Sequence, residues 1–494
     1  MRHLRLTRLA AVATLIGLGL LTTHGASATS RADEPRSTPV PIATADGSLF
    51  SYVVNVSDPS ESRVRTAERA VRDAGGVVVQ TWPQIGVIIA HSDRGNFARQ
   101  VLSSGKGAIA SAGPTRTVPV TEGTPKGDQA AWDAADRRRV PRAPIGPATP
   151  PSSTAPDPRS AAQWDMEMLK VPAAHEVTAG SRGVLVGALD SGIDADHPDL
   201  AGRIDWSTSV GCVDAGRPNR EVAAWRPTAS DHGTHVAGII AAERNGYGTV
   251  GVAPGVTLAS VKVVNDDGLI YPEYAICGFM WAGQQRMDIT NNSYFIDPFE
   301  YWCADQPEQA PAREAVRRAA AWSRSRGVVH VAAAGNSSQN LAKKTTDPAS
   351  PNDGPSPTRR TINSGCLDIP TELPGVVSVS SIERSGELSP FSNYGLGAID
   401  VAAPGSGILS TVTRDNGWGV KSGTSMAAPQ VAGVLALMKS AHPDLTPAEM
   451  TDRLRAGATS RSCPTPAGGS ACVGTKGDNS HYGRGIVDAL AAVR

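Results

Sequence analysis

The sequence predicts an α/β protein with a parallel β-sheet covered by helices on both faces, preceded by a small α+β domain. Its 494 residues, of which 40% are hydrophobic, are enough for about two or three domains with a sizeable core. From residue 163 onward, short apolar runs alternate with helical patterns, which is typical of a sheet buried on both faces. Before that point, residues 49–120 follow the order β-α-β-β-α-β of a two-layer domain.

Residues 1–28 have the order of a secretory signal peptide. Three arginines precede an uncharged apolar stretch at residues 9–21, and the tripeptide at residues 26–28 is Ala-Ser-Ala. The apolar stretch is too short to cross a bilayer as a helix, although a membrane anchor is the alternative interpretation. We therefore expect a secreted, extracellular protein that has no membrane anchor in its mature form.

The small domain is predicted at residues 29–120, and a linker at residues 121–160 separates it from the large domain at residues 161–494. The linker is rich in proline, which favours extended and hydrated polyproline II. In the small domain, strands are predicted at 49–56, 77–81, 86–90 and 108–120, and helices at 62–74 and 95–102.

The large domain is predicted to alternate strands with helices. Because such strands run parallel, their carboxyl ends should meet at one edge of the sheet, where α/β proteins build their sites. Strand-like apolar runs lie at 183–189, 257–264, 288–292, 328–334, 376–380 and 398–402, and helical patterns at 310–325 and 425–440.

The charge balance and the cysteines limit the partners and the compartment. Lys+Arg and Asp+Glu both number 47, so the net charge gives no indication of nucleic-acid binding. The six cysteines include no C-x-x-C pair with zinc spacing, so we expect no metal cluster from them. In an exported protein they predict up to three disulfides, with fifteen pairings open and Cys463–Cys472 the easiest to form.

The first motif that carries chemistry is LDSGID, in which Asp190 follows an apolar run and precedes a glycine turn. A buried strand that ends in this way delivers a carboxylate to the carboxyl edge of the sheet. The alternative is that Asp190 only caps a turn.

The second motif is DHGTHVAG, in which His232 opens a predicted helix with Asp231 or Thr234 as its cap. A histidine in the first turn points its imidazole out of the helix end. His235 is the competing candidate, and this spacing is also compatible with a packing histidine or with a metal site.

The third motif is GTSMAAP, in which a tight turn of small residues leads directly into a buried helix. Ser425 then lies at the helix N-terminus, where the dipole and free backbone N–H groups favour developing negative charge. The alternative is that Ser425 serves only as an N-cap.

In the order Asp, His, Ser, these motifs resemble those of the subtilisin-like serine peptidases, the S8 family. Residues 49–120 resemble the family's inhibitor-type propeptide by pattern. The resemblance implies a serine endopeptidase that hydrolyses protein or peptide substrates through an acyl-enzyme. It also implies a self-processed zymogen with its own propeptide as intramolecular inhibitor, cleaved between residues 116 and 160, with 118–120 as one candidate position. The matching segments within about residues 163–494 are LDSGID, DHGTHVAG, GVAPG, AAAGNS, VAAPG, GTSMAAP and GRGIVDA.

The resemblance assigns roles to individual residues. Ser425 is the nucleophile, His232 the general base and then the acid, and Asp190 the carboxylate that orients the imidazole. Asn336 matches the asparagine of the oxyanion hole, with a simple turn residue as the alternative. The residues expected to bind substrate are Ser293, Tyr294, Phe295, Ala333 and Gly335.

The substrate-recognition strand departs from the family pattern. The family's edge strand usually reads Ser-Leu-Gly-Gly, whereas residues 293–296 of this chain are Ser-Tyr-Phe-Ile. Such a strand pairs with the extended substrate backbone. Two bulky residues in place of glycines should narrow or reshape the S1 pocket, unless the local alignment is shifted and they pack elsewhere. The family's usual preference for large apolar P1 residues, those whose carbonyl is attacked, therefore need not apply.

A second departure is the long polar segment at residues 337–370, which follows Asn336. Long irregular loops beside a site are often functional. We expect this segment either to cover the S1 entrance, held by a Cys303–Cys366 disulfide, or to be a surface insertion without a role.

No cofactor is required for the chemistry, but structural calcium is common in the family. Hard oxygen ligands are available, although no loop has a specific calcium spacing and solvated turn residues are the alternative. The candidate ligands are Asp194, Asp196, Asp199, Asp266 and Asp267.

Two other functions are compatible with these motifs. One is a catalytically silent relative that acts as a binding protein because the unusual recognition strand misaligns the triad. The other is an esterase, which has less support because no G-x-S-x-G elbow surrounds Ser425.

Overall fold

The first sheet has four antiparallel strands in the order β2-β3-β1-β4, with two helices on one face. The computed structural model describes residues 34–124, 157–464 and 472–494. The predicted signal peptide and most of the predicted linker lie outside these residues. The elements, in the predicted order β-α-β-β-α-β, are β1 (Phe50–Val56), α1 (Glu61–Asp73), β2 (Val77–Trp82), β3 (Val87–Ser92), α2 (Phe97–Ser104) and β4 (Ile109–Pro114).

The two faces of this sheet belong to different hydrophobic cores because side chains alternate along a strand. Tyr52 and Val54 of β1 share a core with Val64 and Val71 of α1. Val53 points the other way and belongs to a core that it shares with helices of the large domain. The small sheet is therefore buried on both faces.

The second sheet has eight strands in the order β16-β15-β11-β9-β5-β8-β6-β7. All neighbours in it are parallel except β6 and β7, so the predicted parallel α/β sheet is confirmed. The remaining strands form two-stranded pairs. The strands of the large domain are β5 (Leu185–Asp190), β6 (Val210–Asp214), β7 (Arg217–Asn219), β8 (Thr257–Lys262), β9 (Ile289–Asn292), β10 (Trp302–Cys303), β11 (Val329–Ala333), β12 (Thr346–Asp347), β13 (Arg360–Thr361), β14 (Cys366–Leu367), β15 (Val377–Ile382), β16 (Val401–Pro404), β17 (Ile408–Thr411), β18 (Trp418–Lys421), β19 (Gly474–Thr475) and β20 (Asp478–Asn479).

Helices cover both faces of the large sheet, as predicted. Helices α6 and α9 share one core with the strands, whereas α7 and α8 share the core on the other face. The helices of the large domain are α3 (Trp164–Met168), α4 (Val171–His175), α5 (Val222–Trp225), α6 (His232–Ala241), α7 (Pro272–Gln284), α8 (Ala310–Ser325), α9 (Thr424–Ala441), α10 (Pro447–Gly457) and α11 (Ala489–Val493).

The parallel register brings the carboxyl ends of three central strands into line. Leu189 of β5 pairs with Asn292 of β9, which in turn pairs with Ala332 of β11. Asp190 is the last residue of β5, and Ser293 is the first residue after β9. The chain segments that carry these two residues therefore leave the sheet side by side. This edge is the one at which parallel sheets place their sites.

All six cysteines form disulfides, so the upper limit expected from the sequence is reached. Of the pairings expected from the sequence, Cys303–Cys366 and Cys463–Cys472 are both present. None of the helices in the described ranges is long and apolar enough to cross a membrane. The three bonds are Cys212–Cys277, Cys303–Cys366 and Cys463–Cys472.

Candidate active site

A buried carboxylate and an imidazole meet where β5 ends and α6 begins. Asp190 is 1% exposed, and its Oδ1 accepts hydrogen bonds from His232 Nδ1 at 2.8 Å and from Ser191 N at 2.7 Å. The other carboxylate oxygen, Oδ2, has no hydrogen-bond partner among the described residues. His232 is the first residue of α6, and its side chain remains 31% exposed. Asp190 therefore holds the Nδ1 edge of the imidazole, while part of the ring stays exposed.

The charge of Asp190 sets the protonation of His232. Burial disfavours the imidazolium, but the charge of Asp190 and its hydrogen bond outweigh that effect and raise the pKa of His232 above 6.5. Lys421 lies nearby and forms a 2.7 Å ion pair with Asp231, the residue that precedes the histidine. The positive charge of Lys421 opposes the rise without reversing it.

His235, the competing histidine, is a packing residue. It is fully buried, and its Nε2 lies 3.2 Å from the carbonyl oxygen of Ile408 and 3.1 Å from that of Gly419. Burial lowers the pKa of His235 to about 4, so the ring is neutral near neutral pH. These contacts leave it no role at the carboxyl edge of the sheet.

Ser425 is the second residue of α9, after the N-cap residue Gly423 and Thr424. Its Oγ donates a hydrogen bond of 3.2 Å to the carbonyl oxygen of Ser293, and Ser293 Oγ donates one of 2.9 Å to the carbonyl oxygen of Ser425. The two serines thus connect the helix N-terminus to the end of β9. Since Gly423 occupies the cap position, Ser425 is not an N-cap.

Asn336 follows the end of β11 and faces the same helix N-terminus. Its Oδ1 accepts hydrogen bonds from the backbone N of Thr424 at 2.8 Å and from Thr424 Oγ1 at 2.9 Å. Because the amide oxygen of Asn336 accepts from Thr424, the Nδ2 group is turned away from Thr424. Nδ2 makes no hydrogen bond to any described residue. The contact by which Thr424 orients Asn336 was not predicted from the sequence.

All the predicted site residues line one cavity of about 490 Å³. Tyr294 and Phe295 both lie in its wall. Tyr294 also packs against the hydrophobic core that contains α7 and α8. The hydroxyl of Tyr294 donates a 3.0 Å hydrogen bond to Asn292 Oδ1, and burial raises the pKa of this phenol, which stays neutral. The predicted residues in the wall are Asp190, His232, Ser293, Tyr294, Phe295, Ala333, Gly335, Asn336 and Ser425.

The polar segment at residues 337–370 contributes to the same cavity through Ser337, Asn352 and Asp368. Besides the disulfide at Cys366, an ion pair of 2.6 Å holds it, between fully buried Arg360 and Asp347 side chains. The segment therefore contributes to the wall of the cavity, and its covering of the S1 entrance stays a prediction.

Sequence reasoning missed three carboxyl groups in the cavity wall, those of Asp297, Glu300 and Asp368. None of them lies in a motif, and their neighbours in sequence are apolar or proline. The one available signal was their presence in or beside the two segments that depart from the family pattern.

The expected calcium ligands do not form a cluster. Arg226 pairs with Asp196 at 2.7 Å, and Lys262 pairs with Asp266 at 3.2 Å. Within the described part of the chain, none of the five aspartates belongs to a group of three side chains whose ligand atoms lie within 4.8 Å of one another. These five carboxylates therefore do not supply three side-chain ligands to a single ion, and no step of the proposed reaction is assigned to calcium.

Sequence comparison identifies relatives of the large domain. Residues 181–485 match the family model Peptidase_S8, the subtilase family. Subtilisin NAT from Bacillus subtilis subsp. natto is 32% identical over 333 residues, which cover 67% of this chain and 71% of that protein. An intracellular serine protease from Paenibacillus polymyxa is 37% identical over 295 residues, or 58% of this chain and 78% of that protein.

Two solved structures share the fold at low sequence identity. The epidermin leader peptide processing serine protease from Staphylococcus aureus is 19% identical with a TM-score of 0.65, and the match covers 90% of this chain and 99% of that one. Fervidolysin from Fervidobacterium pennivorans, a keratinolytic enzyme related to subtilisin, is 22% identical with a TM-score of 0.61, covering 92% and 64%. The family match favours a peptidase over a silent binding protein. The chain belongs to the subtilase family, peptidase S8, and is a serine endopeptidase.

Proposed function

We propose that Asp190, His232 and Ser425 form a catalytic triad that hydrolyses peptide bonds through an acyl-enzyme. The observation that carries this proposal is the 2.8 Å hydrogen bond between His232 Nδ1 and Asp190 Oδ1, beside the cavity that Ser425 also lines. Because Nδ1 is engaged with the carboxylate, Nε2 is the nitrogen left to accept a proton.

His232 takes the proton of the Ser425 hydroxyl while that oxygen attacks the carbonyl carbon of the substrate. The hydroxyl first leaves its hydrogen bond to Ser293 by rotation of the side chain. The imidazolium, stabilised by Asp190, then gives its proton to the leaving amine nitrogen as the C–N bond breaks. A water molecule releases the acyl group by the same two proton transfers.

A burst experiment tests this chemistry. With an activated ester, the wild-type protein should release one equivalent of alcohol per active site before the steady state. Mass spectrometry of the quenched protein should find the acyl group on the peptide that contains Ser425. Linear release without a burst, and no acyl mass on that peptide under any quench condition, would contradict an acyl-enzyme.

The raised pKa of His232 predicts the pH dependence of the reaction. The general base must be neutral, so kcat/KM should fall as the pH drops through the pKa of His232 and the ring becomes protonated. The midpoint of this acid limb should lie above 6.5 in the wild type. It should be higher in Lys421→Met than in Asp231→Asn. An acid limb centred well below 6.5 would show that another group controls the rate.

The direction expected for those two variants follows from charge. Lys421 lowers the pKa of His232 and Asp231 raises it. Removing the lysine should therefore raise the midpoint, and removing the aspartate should lower it, so the two variants bracket the wild type. Midpoints in the opposite order would contradict the assignment of the base.

We also propose that Asn336 Nδ2 and the backbone N–H of Ser425 bind the oxyanion of the tetrahedral intermediate. The Thr424 contacts support this role, since they fix which end of the amide faces the cavity. Asn336→Ala should lower kcat by roughly a hundred- to a thousand-fold with little change in KM, because the donor acts on charge that develops only in the transition state. Asn336→Asp should be at least as slow, since it replaces the donor by an acceptor; a raised KM with normal kcat would contradict the role.

Residues 29–120 are, in this proposal, an inhibitor-type propeptide removed by self-cleavage. The described part of this segment packs on the large domain: Arg318 of α8 donates to the carbonyl oxygens of Val56 at 2.9 Å and Gly86 at 3.4 Å. Asn55 Nδ2 donates to the carbonyl oxygen of Pro311 at 2.8 Å. Helix α8 thus presents donors and acceptors to the end of β1 and to the residue that precedes β3, the two inner strands of the small sheet.

The chain that leaves the small sheet is held beside the cavity. Arg116 forms a 2.6 Å ion pair with Glu273 of α7, and both side chains are almost fully buried. The backbone N of Thr117 donates to Asp353 Oδ2 at 2.8 Å, and Asp353 follows Asn352 of the cavity wall. These contacts support a propeptide whose C-terminal part is directed toward the site, immediately before the candidate cleavage residues 118–120.

Secretion is the last part of the proposal. It is supported by the signal-like segment at residues 1–28 and by three disulfides, which are typical of oxidising compartments. N-terminal sequencing of the protein found in the culture medium tests secretion and processing together. The expected new N-terminus lies between residues 116 and 160, and a secreted chain that keeps residues 29–120 would contradict self-processing.

A further inference from the structure

A buried carboxyl group in the wall of the active-site cavity lacks a partner. Asp368 is 1% exposed, and its Oδ1 makes no hydrogen bond to any described residue. Its Oδ2 lies 3.5 Å from the position that a Cβ on Gly335 would occupy. Buried carboxyl groups are normally hydrogen-bonded or paired with a cation, so this one indicates a ligand that supplies the missing partner.

Three acids of the wall lie outside the proposed triad, namely Asp297, Glu300 and Asp368, and the first two have partners. Asp297 Oδ1 accepts a hydrogen bond of 2.6 Å from Asn352 Nδ2. Glu300 Oε1 accepts one of 2.7 Å from Ser337 Oγ. Of the three, Asp368 is therefore the carboxyl group that remains available to a bound molecule.

The cavity offers no fixed positive charge to Asp368. No lysine or arginine is among the described residues that line it. The basic side chain that acts on Asp368 is Lys344, which is already committed to a 2.5 Å ion pair with Glu372. A cation that pairs with the Asp368 carboxylate would therefore be supplied by a bound molecule.

Burial, together with the neighbouring Glu372 and Glu300, raises the pKa of Asp368 well above its ordinary value. Without a cationic partner this carboxyl group therefore favours its neutral form. A guanidinium or ammonium group that enters the cavity replaces the missing partner and stabilises the carboxylate, as an opposite charge within hydrogen-bond distance does.

The position of Asp368 relative to Ser425 decides which part of a substrate Asp368 contacts. Gly335, beside the carboxyl group, immediately precedes Asn336, and its N donates to Thr424 Oγ1 at 3.1 Å. Thr424 in turn immediately precedes Ser425. In the proposed acyl transfer, the side chain of the residue whose carbonyl Ser425 attacks would therefore enter the cavity close to this point.

We propose that Asp368 makes this peptidase selective for lysine or arginine at P1, as the acid that pairs with the basic side chain in the S1 pocket. The inference rests on the proposed function of Ser425. It replaces the apolar P1 preference that is usual in the family, and it gives the segment at residues 337–370 a role in specificity.

Matched peptide substrates test this inference on the full chain after its maturation. The substrates differ only at P1, which is arginine, lysine, phenylalanine or citrulline, the uncharged isostere of arginine. For the wild type we expect kcat/KM for arginine to exceed that for citrulline by about a hundred-fold or more, which is the scale of losing one partner of a buried charge pair. Asp368→Asn should bring this ratio to within a few-fold of one by lowering the arginine value. The exposed Asp444→Asn serves as the matched control and should keep the wild-type ratio.

Each outcome bears on one of the two proposals. A wild-type protein that cleaves the phenylalanine or citrulline peptide as well as the arginine peptide overturns this inference and leaves the proposed function standing. The same holds if a folded Asp368→Asn variant keeps the arginine preference. A protein that cleaves no substrate and gives no acyl-enzyme overturns the proposed function, and this inference with it. A wild-type ratio near one overturns the inference without any variant, so that outcome does not depend on whether Asp368→Asn folds.

Discussion

Ser425→Ala should abolish hydrolysis of peptide bonds and leave the chain as an unprocessed proform. In the proposed mechanism the hydroxyl oxygen of Ser425 forms the acyl-enzyme, and alanine at the second position of α9 preserves the helix. In subtilisin, a member of the same family, loss of the serine lowers kcat by roughly 10⁶-fold, and we expect a loss on that scale. The measurement is kcat/KM on a peptide substrate, with the mass of the purified chain as a second readout.

A control within the same helix separates the loss of the nucleophile from damage to α9. Ser440 lies near the other end of the helix, where its Oγ donates to the carbonyl oxygen of Ala436. Ser440→Ala should remain active and processed. Normal maturation of Ser425→Ala, in the absence of any other protease, would rule out self-processing.

Asp190→Asn should lower kcat/KM by about 10⁴-fold while the protein stays folded. In the wild type, Asp190 Oδ1 accepts from both Ser191 N and His232 Nδ1, so the histidine proton sits on Nδ1 and Nε2 is free. An asparagine that turns its amide N–H toward Nδ1 reverses the tautomer and places the proton on Nε2, which can then no longer act as the base. Loss of the carboxylate also removes the charge that raises the pKa of His232.

The matched control for this change is Asp165→Asn. Asp165 is also buried, accepts a hydrogen bond from Gln430, and does not line the cavity. Burial raises the pKa of its carboxyl group, so an amide is a close substitute and activity should be retained. If Asp190→Asn were no slower than Asp165→Asn, the carboxylate would have no part in catalysis.

The sequence predicted most of the fold because hydrophobic periodicity is visible where one face of an element is exposed. Helix α8 was predicted with its observed bounds, since its apolar residues follow helical spacing. Helix α7 was missed because almost every residue in it is buried, and a helix that is apolar all round shows no amphipathic period. The hairpin of β6 and β7 was missed because β7 is only Arg-Pro-Asn, without the β-branched or aromatic residues that indicate a strand.

The disulfides Cys463–Cys472 and Cys212–Cys277 differ in how far the sequence could predict them. Cys463 and Cys472 are close in sequence, so their bond was predicted from the short loop between them. Cys212–Cys277 joins β6 to α7, two elements that the sequence did not reveal. That pairing depends on how the elements pack and has no local signal.

The site was predictable where motifs end strands or begin helices, and unpredictable where the cavity wall comes from irregular chain. Asp190, His232 and Ser425 each occupy such a boundary. Thr424 and Asp368 act through neighbours distant in sequence, so their importance appears only when the segments are brought together in three dimensions.

The central claim, that His232 activates Ser425, is tested most directly by the rate of covalent labelling with a fluorophosphonate. The wild type should be labelled at one residue, Ser425, and the rate should fall with pH as His232 becomes protonated. His232→Ala should slow the labelling by roughly a thousand-fold or more, and His235→Ala, if folded, far less. Labelling of Ser425 at an equal rate without His232, or labelling at another residue, would contradict the account.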